Sequence, residues 1–150
     1  MTGLRPVLLV DDSADDIELM LEALRSFKIA NPLDVARDGE EALQYLRRTG
    51  PFASRPAIDP AVVLLDLKMP KVDGLEVLRA ARADARLRRL PIVMVTSSRE
   101  EQDLVQSYAL GVNAYVVKPV DFHNFADAVR QLGAFWAVLN EPPPNGGPKP

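Results

Sequence analysis

The sequence predicts a doubly wound α/β fold, a five-stranded parallel sheet with helices on both faces. Three observations carry that expectation. Short unbroken apolar runs rich in Val, Leu and Ile recur along the chain, as strands buried on both faces do. Between them lie segments whose apolar residues repeat at helical spacing. Most of the runs also stop at an acid, a hydroxyl or an ammonium, so reactive side chains arrive where strands end.

Pro6-Val7-Leu8-Leu9-Val10 is the first strand and ends in Asp11-Asp12. Ser13 or Asp12 can cap the helix that follows, with Asp15, Asp16 and Glu18 in its first turn against the helix dipole. Ile17, Met20, Leu21, Leu24 and Phe27 form its apolar stripe. A short strand, residues 33–36, comes after Asn31-Pro32 and closes at the turn signal Asp38-Gly39. Ala42, Leu43 and Leu46 mark a second helix, with Tyr45 beside them and a stop in Arg47-Arg48-Thr49-Gly50. Residues 51–60 contain three prolines and no period, so they read as a long loop.

Val62-Val63-Leu64-Leu65 is the central strand and delivers Asp66. From Gly74, a third helix carries Leu75, Leu78 and Ala81, and Arg86-Leu87-Arg88-Arg89-Leu90 reads as its solvated end. Ile92-Val93-Met94-Val95 ends in Thr96-Ser97-Ser98, and Glu100 and Glu101 open a fourth helix with Leu104, Val105 and Tyr108, closed by Gly111. Ala114-Tyr115-Val116-Val117 is the last strand and ends in Lys118-Pro119. Asp121 can cap a final helix with Phe125, Val129, Leu132, Trp136 and Leu139 on one face, widened by Phe122, Phe135 and Val138. Residues 140–150, with five prolines and two glycines, read as a tail after a domain of residues 1–139.

Right-handed crossovers place every strand's carboxyl end on one rim, the edge where open α/β sheets bind ligands. Asp11, Asp12, Asp66, Thr96 and Lys118 would then converge from four strands. A lone Asp at a strand end is usually a turn former. Convergence of five such groups is much harder to ascribe to local capping. Carboxylates about 4 Å apart repel by about 4 kcal/mol per pair at an intermediate dielectric, so such a cluster calls for a cation. Oxygen donors alone favour Mg²⁺ or Mn²⁺. Beside that ion a carboxylate can attack phosphorus while a Lys ammonium and a Thr hydroxyl bind the phosphoryl oxygens.

Composition narrows the alternatives. The 150 residues, 47% of them hydrophobic, suit one folded domain. A net charge of −3 with interspersed signs offers no basic stripe, so direct DNA binding is not expected. With no cysteine and a single histidine, His123, thiolate or His-rich zinc sites are excluded, and His123 itself reads as a surface residue. No apolar run approaches the ~18 residues of a membrane span and no signal region opens the chain, so cytoplasm is the default expectation. No Gly-x-x-x-x-Gly-Lys loop is present for a nucleotide kinase.

Leu9-Val10-Asp11-Asp12-Ser13, the run Leu64-Leu65-Asp66-Leu67-Lys68-Met69-Pro70-Lys71-Val72-Asp73-Gly74, Val95-Thr96-Ser97 and Tyr115-Val116-Val117-Lys118-Pro119 resemble the receiver domain of two-component response regulators, over about residues 5–139. The resemblance implies a flavodoxin-like fold and a phosphoacceptor role for Asp66. It implies Mg²⁺ (or Mn²⁺) held by Asp12 directly, by Asp11 largely through water, by Asp66 and by the backbone carbonyl of Lys68, whose side chain would modulate water access. Thr96 matches the switch hydroxyl, Tyr115 the aromatic that turns inward with it, and Lys118 the phosphate-binding cation. The Lys118-Pro119 bond resembles the family's cis peptide.

Tyr45-Leu46-Arg47-Arg48, the proline-containing loop after it, the segment 107–115 and Pro119-Val120-Asp121-Phe122 are similar to the stand-alone regulators paired with bacterial phytochrome kinases. The implied partners are a sensor histidine kinase of that kind, a bacteriophytochrome, and an unidentified downstream protein reached by altered contacts. The implied chemistry is phosphotransfer with slow self-hydrolysis, not enzymatic turnover. The wide apolar face around Trp136 adds a homodimer through the last helix and its neighbouring face as an expectation. A Mg²⁺-dependent phosphohydrolase fits less well, because Lys68 stands where a second acid would serve. A phosphorylation-independent docking module is disfavoured by the complete set of rim residues.

Overall fold

A computed structural model describes residues 4–26 and 29–118. Five strands, β1 (Val7–Val10), β2 (Leu33–Ala36), β3 (Val62–Leu65), β4 (Ile92–Thr96) and β5 (Ala114–Val117), alternate with four helices, α1 (Ala14–Ser26), α2 (Gly39–Arg47), α3 (Gly74–Ala83) and α4 (Glu101–Ala109). The strands form one parallel sheet in the order β2-β1-β3-β4-β5, the expected doubly wound topology. The order in which strands are added reverses between β1 and β3, which opens a crevice at their carboxyl ends. The expected last helix, with His123 and Trp136, the 140–150 tail, the Lys118-Pro119 peptide and the proposed dimer face all lie outside the described residues.

Alternation along the strands divides the interior into two layers. Leu8, Val10, Val63, Leu65, Ile92 and Met94 face Ala42, Tyr45 and Leu46 of α2 and Val77, Leu78 and Ala81 of α3. Val7, Leu9, Val62, Leu64, Val93 and Val95 point the other way, against Met20 and Leu24 of α1. β1, β3 and β4 are buried throughout, as their unbroken apolar runs require, whereas β2, at the sheet edge, is only half-buried over most of its length.

Local chemistry sets the helix ends. Ser13 caps α1 by accepting a bond from the Asp16 N–H (3.2 Å). Asp38, expected as a turn residue, is the N-cap of α2. Asp73 and Glu76 form a reciprocal capping box on α3. The stop of α2 is Arg48, left-handed at φ 56°, within the expected Arg47-Arg48-Thr49-Gly50. The 51–60 loop is irregular apart from a 3-10 turn at Gly50–Phe52. It is pinned from within: the Arg55 guanidinium stacks on the Tyr45 ring at 3.6 Å and donates to the Tyr45 and Ile58 carbonyls. The buried Tyr45 hydroxyl donates to Asp34 Oδ2 (2.5 Å).

Two expectations need correction. The 86–90 segment is not simply a solvated helix end. α3 stops at Ala83, Leu87 and Leu90 are buried, and Arg86, though exposed, reaches back to Asp59 and the Leu46 carbonyl, while Arg88 and Arg89 face solvent. The apolar residues of α4 also do not face the core. Leu104, Val105 and Tyr108 are exposed, and the buried residues are Asp103 and Ser107. The inversion has a polar cause: Asp103 accepts from the Ser98 hydroxyl (2.5 Å) and pairs with Lys68, while the Ser107 hydroxyl is satisfied within the helix on the Asp103 carbonyl.

Gly74 fixes how tightly the loop after β3 folds back. A Cβ there would lie 2.3 Å from the Asp66 carbonyl oxygen and 2.8 Å from Leu67 Cα, both rigid backbone atoms. Gly74→Ala is therefore expected to destabilise the domain by about 1–3 kcal/mol, read as a lower urea midpoint with an unchanged slope.

Candidate functional site

Each rim residue is placed by the sheet's own hydrogen bonding. The Asp11 N–H donates to the Ala36 carbonyl (3.1 Å), the Asp66 N–H to Val10 (2.9 Å) and the Lys118 N–H to Thr96 (2.8 Å), so the ladder continues through the functional positions. The predicted convergence holds: carboxylate oxygens of Asp11, Asp12 and Asp66 lie within 4.8 Å of one another. Asp11 and Asp66 are buried and Asp12 is exposed, which gives the trio one open side.

Two of these carboxylates are further fixed by nearby backbone. The Ser13 N–H donates to Asp11 Oδ1 (2.9 Å), and the Leu67 N–H donates to Asp66 Oδ1 (2.9 Å). Lys118 projects between them. Its ammonium donates to Asp11 Oδ2 (2.6 Å) and Asp16 Oδ2 (2.7 Å) and stands 3.8 Å from Asp66 Oδ2. Thr96 is fully buried, and its hydroxyl bonds the Asp66 carboxylate.

These surroundings act on the acid–base properties. Burial, followed by repulsion from Asp11, pushes the Asp66 carboxyl up to about 6 against the opposing pull of Lys118, Thr96 and the Leu67 N–H. For Lys118, burial disfavours the charged form, but the bonds to Asp11 and Asp16 and the nearby Asp66 outweigh it, and its pKa rises. Burial also raises the Tyr115 hydroxyl.

Thr96 leads into a second polar cluster. Its Oγ1 accepts from the Ser98 N–H (3.3 Å), the Ser98 hydroxyl bonds Asp103, and the Ser98 carbonyl accepts from the Tyr115 hydroxyl (3.2 Å). Lys68 Nζ pairs with Asp103 Oδ2 at 3.4 Å. Sequence reasoning named Thr96, Tyr115 and Lys68 but missed Ser98, Asp103 and Asp16. Asp16 had a visible signal, since it lies four residues beyond Asp12 on a helix leaving the rim, but its first-turn position had an adequate explanation in the helix dipole. Asp103, in the first turn of α4, was hidden for the same reason.

Three carboxylates with nitrogen ligands nowhere in the trio form a donor set that suits a hard divalent cation such as Mg²⁺ or Mn²⁺. Five strands in this order, with acids at the β1/β3 crevice and a lysine and a threonine beside them, are the arrangement of a flavodoxin-like receiver fold. The chain belongs to the response regulator receiver domain family, whose model matches residues 7–130. Among solved structures it is similar to the bacteriophytochrome response regulator AtBRR, with 62% identity and TM-score 0.84, covering 93% of this chain and 99% of that one. It also resembles the bacteriophytochrome response regulator RtBRR, with 58% identity and TM-score 0.83, covering 95% and 86%. Response regulator Rcp1 of Synechocystis is 37% identical over 130 residues, 87% of each chain, and a Mn²⁺-bound form of Rcp1 has been solved. No helix among the described residues is long and apolar enough to cross a membrane.

The raised Asp66 pKa has a consequence for stability. Folding lifts it from 3.8 to about 6, so the folded state holds the extra proton between those values. The contribution of this group to stability is therefore fully present below about pH 4, declines as pH rises towards 6 and is lost above it. Asp66→Asn keeps an oxygen for the Leu67 N–H and removes the repulsion. In EDTA it is expected to raise unfolding stability by about 1–3 kcal/mol at pH 8 and much less at pH 4.5, as measured by urea titration.

Proposed function

We propose that the protein is a response regulator that accepts a phosphoryl group on Asp66 from the phosphohistidine of a sensor histidine kinase, and that this kinase is a bacteriophytochrome. The observation that carries the reading is the placement of Asp66 in the sheet crevice together with Asp11, Asp12, Thr96 and Lys118. Likeness to AtBRR and RtBRR supports the phytochrome pairing.

In the transfer step an Asp66 carboxylate oxygen attacks phosphorus, the phosphorus–nitrogen bond of the phosphohistidine breaks, and the leaving imidazole keeps the electron pair and takes a proton. The Leu67 N–H holds Oδ1 and orients the carboxylate. At neutral pH an acid with its pKa at about 6 is already mostly ionised, the form in which it can attack. Lys118 and Thr96 bind the phosphoryl oxygens where charge builds. Asp11, Asp12, Asp66 and the Lys68 carbonyl would hold Mg²⁺ or Mn²⁺, which supplies charge neutralisation on the phosphoryl oxygens. Self-hydrolysis reverses the bond order: water attacks phosphorus, inorganic phosphate leaves, and the Asp66 carboxylate is regenerated.

The new charge, about −1.5 to −2, draws on Thr96 and Lys118. Thr96 is bonded to Ser98, and Ser98 to Tyr115 and Asp103, so a shift of the hydroxyl reaches α4 and β5. Output is then a changed contact with a downstream protein through that face, from a receiver unit spanning residues 1–139. Localisation follows the kinase's cytoplasmic phosphodonor domain.

Incubation with acetyl phosphate is expected to add one phosphoryl mass in the presence of Mg²⁺ and none in EDTA, with Asp66→Asn unmodified in both. A folded wild-type protein that gains no mass would overturn the phosphoacceptor role. Faster phosphotransfer from a bacteriophytochrome kinase than from an unrelated histidine kinase checks the pairing.

A further inference from the structure

We propose that Asp16 is a positioning residue that competes with the phosphoryl group for Lys118, and so limits how fast Asp66 is phosphorylated. The inference rests on Asp66 being the phosphoacceptor and concerns a residue outside the five expected rim groups.

A lysine ammonium has three N–H bonds to give. In this structure one goes to Asp11 Oδ2 at 2.6 Å and one to Asp16 Oδ2 at 2.7 Å, while Asp66 Oδ2, at 3.8 Å, is beyond hydrogen-bond reach. Two of the three donors are thus committed, and the ammonium must be drawn away from the acids that hold it before its remaining donor can reach a phosphoryl group on Asp66. The two acids that hold it are not equivalent. Asp11 belongs to the carboxylate trio, so a bound divalent cation offsets its charge and loosens its hold on the ammonium. Asp16 is not in that trio, and its charge stays committed to Lys118 whether or not a cation is bound.

Asp16 is also built for the task. The Ser13 hydroxyl accepts its N–H, and the Ser13 N–H is in turn held by Asp11 Oδ1, so one turn sets both acids around Lys118. Its side chain is 36% exposed, against 9% for that of Asp11, so it can turn to water when the ammonium leaves. The contact holds Lys118 without trapping it. Asp15, in the same helical turn, offers the same charge to the helix dipole and makes no bond to Lys118, which separates the two roles.

The test is a time course of Asp66 phosphorylation by acetyl phosphate at saturating Mg²⁺, read by intact mass, followed by decay after donor removal. Wild type is compared with Asp16→Asn, Asp16→Glu and Asp15→Asn, each checked for folding by circular dichroism. Asp16→Asn is expected to accelerate phosphorylation by about two- to fivefold, the scale of one partly exposed ion pair, and to slow the decay. Asp16→Glu restores the wild-type rate, and Asp15→Asn stays close to it. Equal rates for wild type and Asp16→Asn overturn the inference, as does a slower variant or an equal acceleration by Asp15→Asn. A wild-type protein that takes no phosphoryl group refutes the receiver chemistry and the inference together. Normal wild-type phosphorylation with an unchanged Asp16→Asn refutes the inference alone.

Discussion

Like charges forced together at the end of a buried sheet are the constraint on which this molecule depends. Asp11 and Asp66 sit on adjacent strands, each held by a ladder hydrogen bond that cannot relax without opening the sheet, and Asp12 adds a third carboxylate at the open side. Water cannot screen the two buried members well. Lys118, just after β5, is the protein's own partial answer, and the raised Asp66 pKa reflects burial first and then the repulsion from Asp11 that the lysine leaves. A site with unspent repulsion has affinity for whatever neutralises it, and a hard divalent cation suits these oxygens.

The rest of the fold keeps that tension in place. Apolar strands packed by α1 on one face and by α2 and α3 on the other make a rigid floor. The reversal of strand order between β1 and β3 leaves a crevice above the acids and nowhere else along the sheet. Gly74 lets the loop after β3 turn against the Asp66 carbonyl, and the Asp73 capping box starts α3 immediately afterwards. The acid is thus carried by a short, fixed segment rather than by a free loop.

The sheet and the rim were legible in the sequence because both are written in contrast: Val62 to Leu65 is wholly apolar and Asp66 is not. β1, β4 and β5 carry the same mark, and even the weakest strand, Leu33–Ala36, fell where it was read. What was not legible depends on partners distant in sequence. The pattern of Leu104, Val105 and Tyr108 suggested an inward face, but α4 turns Asp103 and Ser107 inward because Ser98 bonds Asp103. Arg86 read as solvated because Asp59, its partner, lies 27 residues away in a loop without periodicity. Asp16 was explained by its own helix before Lys118, 102 residues later, could claim it.

Ser98 spends all three of its polar groups on different elements: its N–H on Thr96, its hydroxyl on Asp103 and its carbonyl on Tyr115. Two of those three links run through the main chain, which every residue except proline supplies in full. The wiring between the reaction centre and the surface of α4 and β5 is therefore largely independent of the letter at this position. Lineages could drift here, replacing the serine and retuning the Asp103 link alone, while the connection to Thr96 and Tyr115 persisted. A comparison of sequences would then record a variable site at the very point that joins Thr96 to α4 and β5.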